Sequence, residues 1–297
     1  MNRPIVIGAG ELLWDMLPGG RELGGAPANF AWHASQLGGQ GTVYSAVGKD
    51  QLGNEIIDLL HKRRMDTRFI SQLEEYPTGR VDVLIDSSGV PEYTIQTDVA
   101  WDKIPLCNQR NELVNQASAF CFGALAQRDS VSFHTIQSLL DELPVSCLKI
   151  FDINLRQTFY SKEVINLSLQ KCDILKLNED ELPVVAKIFG IEGDETHILD
   201  RLLNDFRIEM IALTKGGAGS LIRTSSKRSW LESPKVTVAD TVGAGDSFTA
   251  TLAMGLLKKW PVDKVHQLAV EVSAYVCTQK GAMPLLPEAI TKVFAEE

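Results

Sequence analysis

The chain has 297 residues, 44% hydrophobic and 23% charged, a balance that fits a soluble globular protein with ample core. Its formal net charge of −9 argues against nucleic-acid or membrane-surface partners, because neither attracts a net anionic protein. The length suits two average domains or one large α/β domain.

No apolar run reaches the ~18 residues that a membrane span needs. Pro4-Ile5-Val6-Ile7-Gly8 enters a strand at once and leaves no room for a signal peptide, so a cytoplasmic protein is expected. The five cysteines, Cys107, Cys121, Cys147, Cys172 and Cys277, are odd in number and never spaced C-x-x-C. They read as reduced core thiols.

Along the chain, strand-like runs alternate with helix-like runs, as a mostly parallel sheet covered by helices requires. Strands are expected at residues 4–9, 42–47, 119–122, 148–152, 173–177 and 210–214, with a further strand-like run at 235–239. Helices are expected at 27–37, 51–64, 131–143, 179–189, 197–206, 244–259 and 263–280. Several strands are continuously apolar, the pattern of strands buried on both faces. Residues 78–97 break the series: polar and apolar residues alternate on either side of Ser87-Ser88-Gly89-Val90-Pro91, which looks like a hairpin turn. The ribbon is either a lid or an edge hairpin of the main sheet.

Several short motifs carry possible chemistry. Asp15 follows the first strand, where ligands of open α/β sheets bind and a carboxylate can hold two sugar hydroxyls; a solvated loop acid is the other reading. Gly24-Gly25-Ala26-Pro27-Ala28-Asn29 lets the backbone approach a ligand and offers the Asn29 amide, yet it also describes a well-made helix start. Asp152-Ile153-Asn154-Leu155-Arg156 ends an apolar strand, so Arg156 either neutralises a transferring phosphate or lies on the surface. Asn178-Glu179-Asp180-Glu181 reads as a capping box and as a place to organise hydrated Mg²⁺, and one helical turn can do both. Thr214-Lys215-Gly216-Gly217 lacks P-loop spacing and either lines a nucleotide pocket or makes a glycine hairpin.

Asp240-Thr241-Val242-Gly243-Ala244-Gly245-Asp246 opens a long apolar helix. Its glycines bring bare N–H groups to a helix start that favours an anion, with the Asp246 carboxylate in the same turn. An ordinary helix start with an N-terminal acid fits the same residues. Gly8-Ala9-Gly10 lacks the third glycine of a dinucleotide fingerprint, the five histidines show no metal-ligand spacing, and no Gly-x-Ser-x-Gly elbow occurs. Lys62-Arg63-Arg64 sits at a helix C-terminus, where the dipole favours cations.

In their order along the chain, Gly24-Gly25-Ala26-Pro27-Ala28-Asn29 and Asp240-Thr241-Val242-Gly243-Ala244-Gly245-Asp246 resemble the two signatures of the ribokinase-like (PfkB) carbohydrate kinases. The intervening motifs fall where that family has them, and the resemblance covers essentially the whole chain. It implies a three-layer α/β/α fold with a central mostly parallel sheet, formed as one domain over residues 1–297. A small β-lid would be drawn from about residues 11–25 and 78–98.

The resemblance also implies ATP as phosphoryl donor, Mg²⁺ and, at a further site, K⁺. Asp246 would be the general base, Gly243, Ala244 and Gly245 the anion hole, and Arg156 a neighbour of the transferred phosphate. Asp15, Gly25 and Asn29 would hold the sugar. Asn178, Thr214, Lys215, Gly216, Gly217, Gly245 and Gly281 would serve the nucleotide. Glu181 would act on Mg²⁺ through water, and Asp240 with Val242 on a monovalent cation. Residues 276–285 depart from any one family pattern. Lids in this family often pair across a dimer, which makes a homodimer one expectation.

Gly10-Glu11-Leu12-Leu13-Trp14-Asp15 with the Gly24 to Asn29 motif is most similar to bacterial fructokinases, implying D-fructose to fructose 6-phosphate. Ribokinase-type members commonly carry Gly-Lys-Gly where this chain has Ala26-Pro27-Ala28. A 2-keto-3-deoxygluconate kinase shares the architecture and would use lid residues such as Arg80 and Tyr93 for its acidic sugar. The non-enzymatic alternative, a sugar- or nucleotide-binding protein on this fold, would have lost the base or the anion hole, and both are present here.

Overall fold

The computed structural model describes residues 3–17, 19–85 and 91–295. In chain order these form β1 (Ile5–Ala9), β2 (Leu13–Leu17), β3 (Gly20–Gly24), α1 (Ala26–Gln36), β4 (Gln40–Gly48), α2 (Gln51–Lys62), β5 (Ile70–Leu73), β6 (Gly79–Ile85) and β7 (Pro91–Ile95). There follow α3 (Arg110–Val114), β8 (Ala117–Phe122), α4 (Ser130–Glu142), β9 (Leu148–Asp152), α5 (Lys162–Lys171), β10 (Ile174–Asn178), α6 (Glu181–Phe189) and α7 (Glu195–Phe206). The chain closes with β11 (Met210–Thr214), β12 (Ser220–Thr224), β13 (Arg228–Leu231), α8 (Ala244–Leu257), α9 (Val262–Cys277) and α10 (Glu288–Ala295).

Nine strands form one sheet in the order β13-β12-β11-β10-β9-β8-β1-β4-β5. It is parallel from β11 to β5, and only β12 and β13 run antiparallel to their neighbours. Successive residues of an apolar strand point to opposite faces, so both faces need cover. Val6, Ala119, Ile150 and Ile174 pack with Phe30, Phe248, Leu252 and Val265, from α1, α8 and α9. On the other face Ile7, Phe120, Phe151 and Leu175 pack with Ile136, Leu169 and Val185, from α4, α5 and α6. This is the expected three-layer α/β/α arrangement. Side-chain caps start the surface helices: Asp50, Asp129, Ser161 and Asp194 accept from first-turn amides of α2, α4, α5 and α7.

β4 lies to one side of β1 and β8 to the other, so the chain order reverses there. The crevice at the C-terminal ends of such strands is where an open α/β sheet binds its ligand.

Four strands stand apart from the main sheet, in the order β3-β2-β6-β7. β6 and β7 therefore belong to a second sheet rather than to an edge of the first. The hairpin turn between them falls at residues 86–90, outside the described residues. β2 and β3 pair antiparallel, and β2 lies parallel to β6.

Residues 235–239 form no strand. Val236 and Val238 are exposed there, and the segment is held by Ala239 N–H donating to Cys277 O at 2.8 Å. An apolar alternation without a neighbouring strand has nothing to pair with. All five cysteines are free, and Cys121, Cys147 and Cys172 are buried. Among the described residues no helix is long and apolar enough to cross a membrane.

Candidate active site

Helix α8 begins at the mouth of the crevice. Its N-cap, Gly243, has φ 78°, a left-handed conformation that costs glycine little. A Cβ there would come within 2.7 Å of Ala282 Cα, so the close approach also requires glycine. Helix geometry leaves the N–H groups of Gly245 and Asp246 without intrahelical acceptors, aimed outward with the positive end of the dipole. The Asp246 carboxylate lies in this first turn, buried, and Asn29 Nδ2 of α1 donates to its Oδ2 at 2.7 Å. Burial, with the nearby Asp152 carboxylate, pushes Asp246 up to about 6; the Asn29 bond, Lys176 and Arg156 oppose that rise.

A buried ion pair lies beneath this turn. Lys176 of β10 and Asp152 of β9 are register partners, and Lys176 Nζ donates to Asp152 Oδ1 at 3.0 Å. The other oxygen, Oδ2, accepts from Thr249 Oγ1 at 2.8 Å, fixing α8 to the sheet one turn beyond Asp246. A Cβ on Gly245 would lie 2.9 Å from Lys176 Nζ, so the ammonium sits directly against the anion-binding turn. Burial works against the Lys176 charge, but the Asp152, Glu181 and Asp246 carboxylates outweigh it and raise the ammonium's affinity for its proton. The sequence reading missed Lys176. The signal was there, as a lysine inside the apolar run Ile174-Leu175-Lys176-Leu177.

Asn178 and Glu181 make the reciprocal bonds of a capping box: Glu181 N–H donates to Asn178 Oδ1 at 2.9 Å, and Asn178 N–H to Glu181 Oε2 at 2.8 Å. Glu181 Oε1 also accepts from Leu155 N–H at 2.9 Å. Both oxygens of this buried carboxylate thus already hold an amide, and burial raises its proton affinity. Such a group fits an outer-shell acceptor for the waters of Mg²⁺ rather than a direct ligand. Among the described residues no group of three or more His, Cys, Asp or Glu side chains is placed to hold a metal.

On the sugar side, Gly25 is the N-cap of α1 with φ 111°, and a Cβ there would run into Glu11 O. Asp15 and Glu22 are register partners on β2 and β3, so their side chains share one face of the small sheet with Val81. Burial and the Glu22 and Asp240 carboxylates push Asp15 up to about 6, opposed by Arg156. Tyr93 pairs with Val83 on the same face and is 53% exposed.

Arg80 is not brought to this group. It pairs with Trp14 across β2 and β6, on the opposite face, and its guanidinium lies 3.6 Å from Asp82 in solvent. The period-2 alternation puts Arg80 and Val81 on opposite faces. Arg156 is exposed at the rim, where it donates to Leu155 O and Asn154 Oδ1, and among the described residues no carboxylate is within ion-pair distance of it. Its neighbour Gln157 donates to Tyr93 O at 2.8 Å, joining this loop to the small sheet.

Thr214 to Gly217 leave the end of β11 and open to solvent at Gly216 and Gly217, where an added Cβ at Gly217 would meet nothing within 4 Å. Lys215 is directed outward instead, paired with Glu195 at 2.5 Å and lying over the Trp230 ring. The Asp240 carboxylate accepts from Val242 N–H at 3.0 Å and from Gly281 N–H at 3.2 Å, bringing those three expected positions together.

Comparison with known proteins shows the family of the chain. The model of the pfkB family carbohydrate kinases matches residues 19–289. A sugar kinase of Pyrococcus horikoshii is 30% identical over 267 residues, covering 87% of this chain and 82% of its own. The crystal structure of that sugar kinase in complex with ATP has a TM-score of 0.81 at 29% identity and covers 94% of each chain. An ATP-dependent 6-phosphofructokinase of Thermoanaerobacterium thermosaccharolyticum is 26% identical, over 95% of this chain and 91% of its own. The fructokinase of Salmonella typhimurium is 27% identical, over 94% of each chain. With the glycine turn, the buried aspartate and the crevice in their places, the chain belongs to the pfkB family of carbohydrate kinases.

Proposed function

We propose that this sugar kinase transfers the terminal phosphoryl group of ATP to the hydroxymethyl group of D-fructose, forming fructose 6-phosphate. The observation that carries the reading is the buried Asp246 carboxylate at the start of α8, held by Asn29, with the N–H groups of Gly245 and Asp246 free of intrahelical acceptors.

The sugar hydroxyl donates to Asp246, which orients it toward the phosphorus and receives its proton as the new bond forms. In a loose transition state that proton leaves late, so a carboxylate of modest basicity suffices. Negative charge on the transferring group meets the amides of Gly243, Ala244 and Gly245 and the α8 dipole, with Lys176 directly below. Arg156 closes the outer side. Mg²⁺ bound with the ATP phosphates would neutralise part of their charge, with Asn178 and Glu181 acting on its water shell. The small sheet serves as the lid that carries Asp15 to the sugar. The open Gly216-Gly217 turn takes the nucleotide, and the joint of Asp240, Val242 and Gly281 is the place for a monovalent cation such as K⁺.

Fructose is favoured by the likeness to fructokinases and by the position of Arg80, which faces away from the site an acidic sugar would occupy. A coupled ADP-release assay over fructose, ribose, 2-keto-3-deoxygluconate, mannose and adenosine tests the reading. Fructose should turn over fastest. Turnover of 2-keto-3-deoxygluconate far above fructose overturns the choice of sugar, and silence across the panel favours a binding protein.

A further inference from the structure

Two buried acceptors at the floor of the site have no hydrogen-bond donor: Glu11 Oε2 and Asn29 Oδ1. Glu11 is 4% exposed and Asn29 is 3% exposed. Buried polar atoms in folded proteins are paired with few exceptions, and Glu11 Oε2 is one left open to a donor in a residue that lines the same small cavity as Asp246. Asn29 already serves the site through Asp246. Glu11 has no part in the chemistry above, and it follows β1 directly, at the strand end where the crevice opens.

The Glu11 side chain lines a cavity of about 10 Å³ together with Phe30, Phe122, Asp152, Asn154 and Asp246. That space admits one water-sized group, the size of a single hydroxyl. Burial, with some help from Asp246, pushes the Glu11 carboxyl up to about 7, while Arg156 and backbone amides oppose the rise. Above about pH 7, this part of the crevice therefore presents carboxylates at Glu11, Asp15 and Asp246. Its buried cation, Lys176, is already committed to Asp152. An added carboxylate or phosphate would meet these three carboxylates, offset only by the exposed Arg156, whereas a hydroxyl would find acceptors.

We infer that Glu11 is a specificity-determining residue: Oε2 accepts a hydrogen bond from a sugar hydroxyl other than the one phosphorylated, and its charge disfavours sugars bearing a carboxylate or phosphate. This rests on reading the site as that of a neutral-sugar kinase.

The test compares wild type, Glu11→Gln and Glu11→Ala at pH 8 with D-fructose, fructose 6-phosphate and 2-keto-3-deoxygluconate, measuring kcat and KM separately. Glu11→Ala should raise the fructose KM at least ~10-fold with kcat changed less than ~3-fold, the expectation for a lost bond to a charged acceptor. Glu11→Gln should raise kcat/KM for the two anionic sugars relative to fructose by at least ~10-fold, because the repulsive charge is gone. A melting curve checks each variant, and if Glu11→Ala does not fold, the Glu11→Gln ratio decides. A purely structural Glu11 would shift all three sugars alike and leave that ratio unchanged, which overturns the proposal. Wild type inactive on fructose but active on an anionic sugar overturns the underlying reading instead, a failure recognisable without any variant.

Discussion

At the α8 end of the site Lys176, Asp152, Glu181 and Asp246 are buried and each has a partner within the protein. The β3-β2-β6-β7 sheet meets the same crevice differently, with the like-charged neighbours Asp15 and Glu22 and an exposed Tyr93. The first region is fixed by ion pairs, caps and helix packing before any ligand arrives, as electrostatic catalysis requires. The second holds Asp15, whose proton affinity is raised by burial and by the neighbouring Glu22 and Asp240 carboxylates against the partial offset of Arg156. On the proposed reading the transfer chemistry is preorganised, and substrate choice falls to the side where Asp15 and Glu22 face each other.

The largest effect should come from the preorganised side. Asp246→Ala is expected to lower kcat at least ~10²-fold, the span of acid–base catalysts, with sugar binding largely retained. Near-normal turnover in that variant would remove Asp246 from its role. In wild type the carboxylate must be ionised to take the proton. With its pKa raised to about 6, kcat/KM should be full above that pH and fall as pH drops through it. An acid limb near pH 4 would mean that Asp246 is not the titrating base.

Lys176→Met separates catalysis from folding at the same end. Leaving Asp152 buried without its ammonium should cost about 3–5 kcal/mol in denaturant unfolding. Adding Asp152→Asn removes the orphaned charge and should restore much of that stability. Activity should stay low in the double variant, because the ammonium against Gly245 is still missing. If activity returned with stability, Lys176 would be structural only.

The same contrast explains what could be read beforehand. The centre of the main sheet was legible because its strands are apolar on both faces, and the Asp246 turn because its residues are contiguous. Lys176 was not, because its meaning depends on Asp152, 24 residues away and made a neighbour only by the β9–β10 register. Glu11 carried no reading of its own within the Gly10 to Asp15 motif, because sequence alone does not show that the fold buries it. Arg80 and Tyr93 looked equivalent on an alternating ribbon, and only the register of β6 on β2 shows which face each presents. The strand-like run at 235–239 failed for the opposite reason, since local pattern cannot supply a partner strand.

A smaller effect should appear at Glu11, in stability. Its carboxyl is raised from 4.5 to about 7, so the folded chain holds this proton more tightly than the unfolded chain. The group therefore costs nothing below about pH 4.5 and becomes destabilising as pH rises to 7. At 1.36 kcal/mol per unit, the cost reaches up to ~3 kcal/mol. Glu11→Gln abolishes the titration, so its unfolding free energy should exceed wild type by up to ~3 kcal/mol at pH 8 and match it at pH 4. Equal stability at both values would place the carboxyl in water and remove the buried acid on which the proposal for Glu11 rests.

The smallest effect is expected on the far face of the small sheet. Arg80 shares that face with Trp14, whose indole N–H donates to Leu52 O of α2 at 3.1 Å, so the face is turned toward α2 and solvent. Its ion pair with Asp82 is exposed and contributes at most ~1 kcal/mol. Arg80→Ala should therefore leave stability within ~0.5 kcal/mol of wild type, as surface changes usually do. Its sugar KM should stay within about twofold, a difference under ~0.5 kcal/mol in binding. Tyr93→Ala should act more strongly, because its side chain lies on the Asp15 face. An Arg80→Ala variant with a tenfold higher sugar KM, beside a silent Tyr93→Ala, would mean that the small sheet presents its other face to the substrate. Asp15 would then lose its place at the sugar as well, since it shares a face with Tyr93.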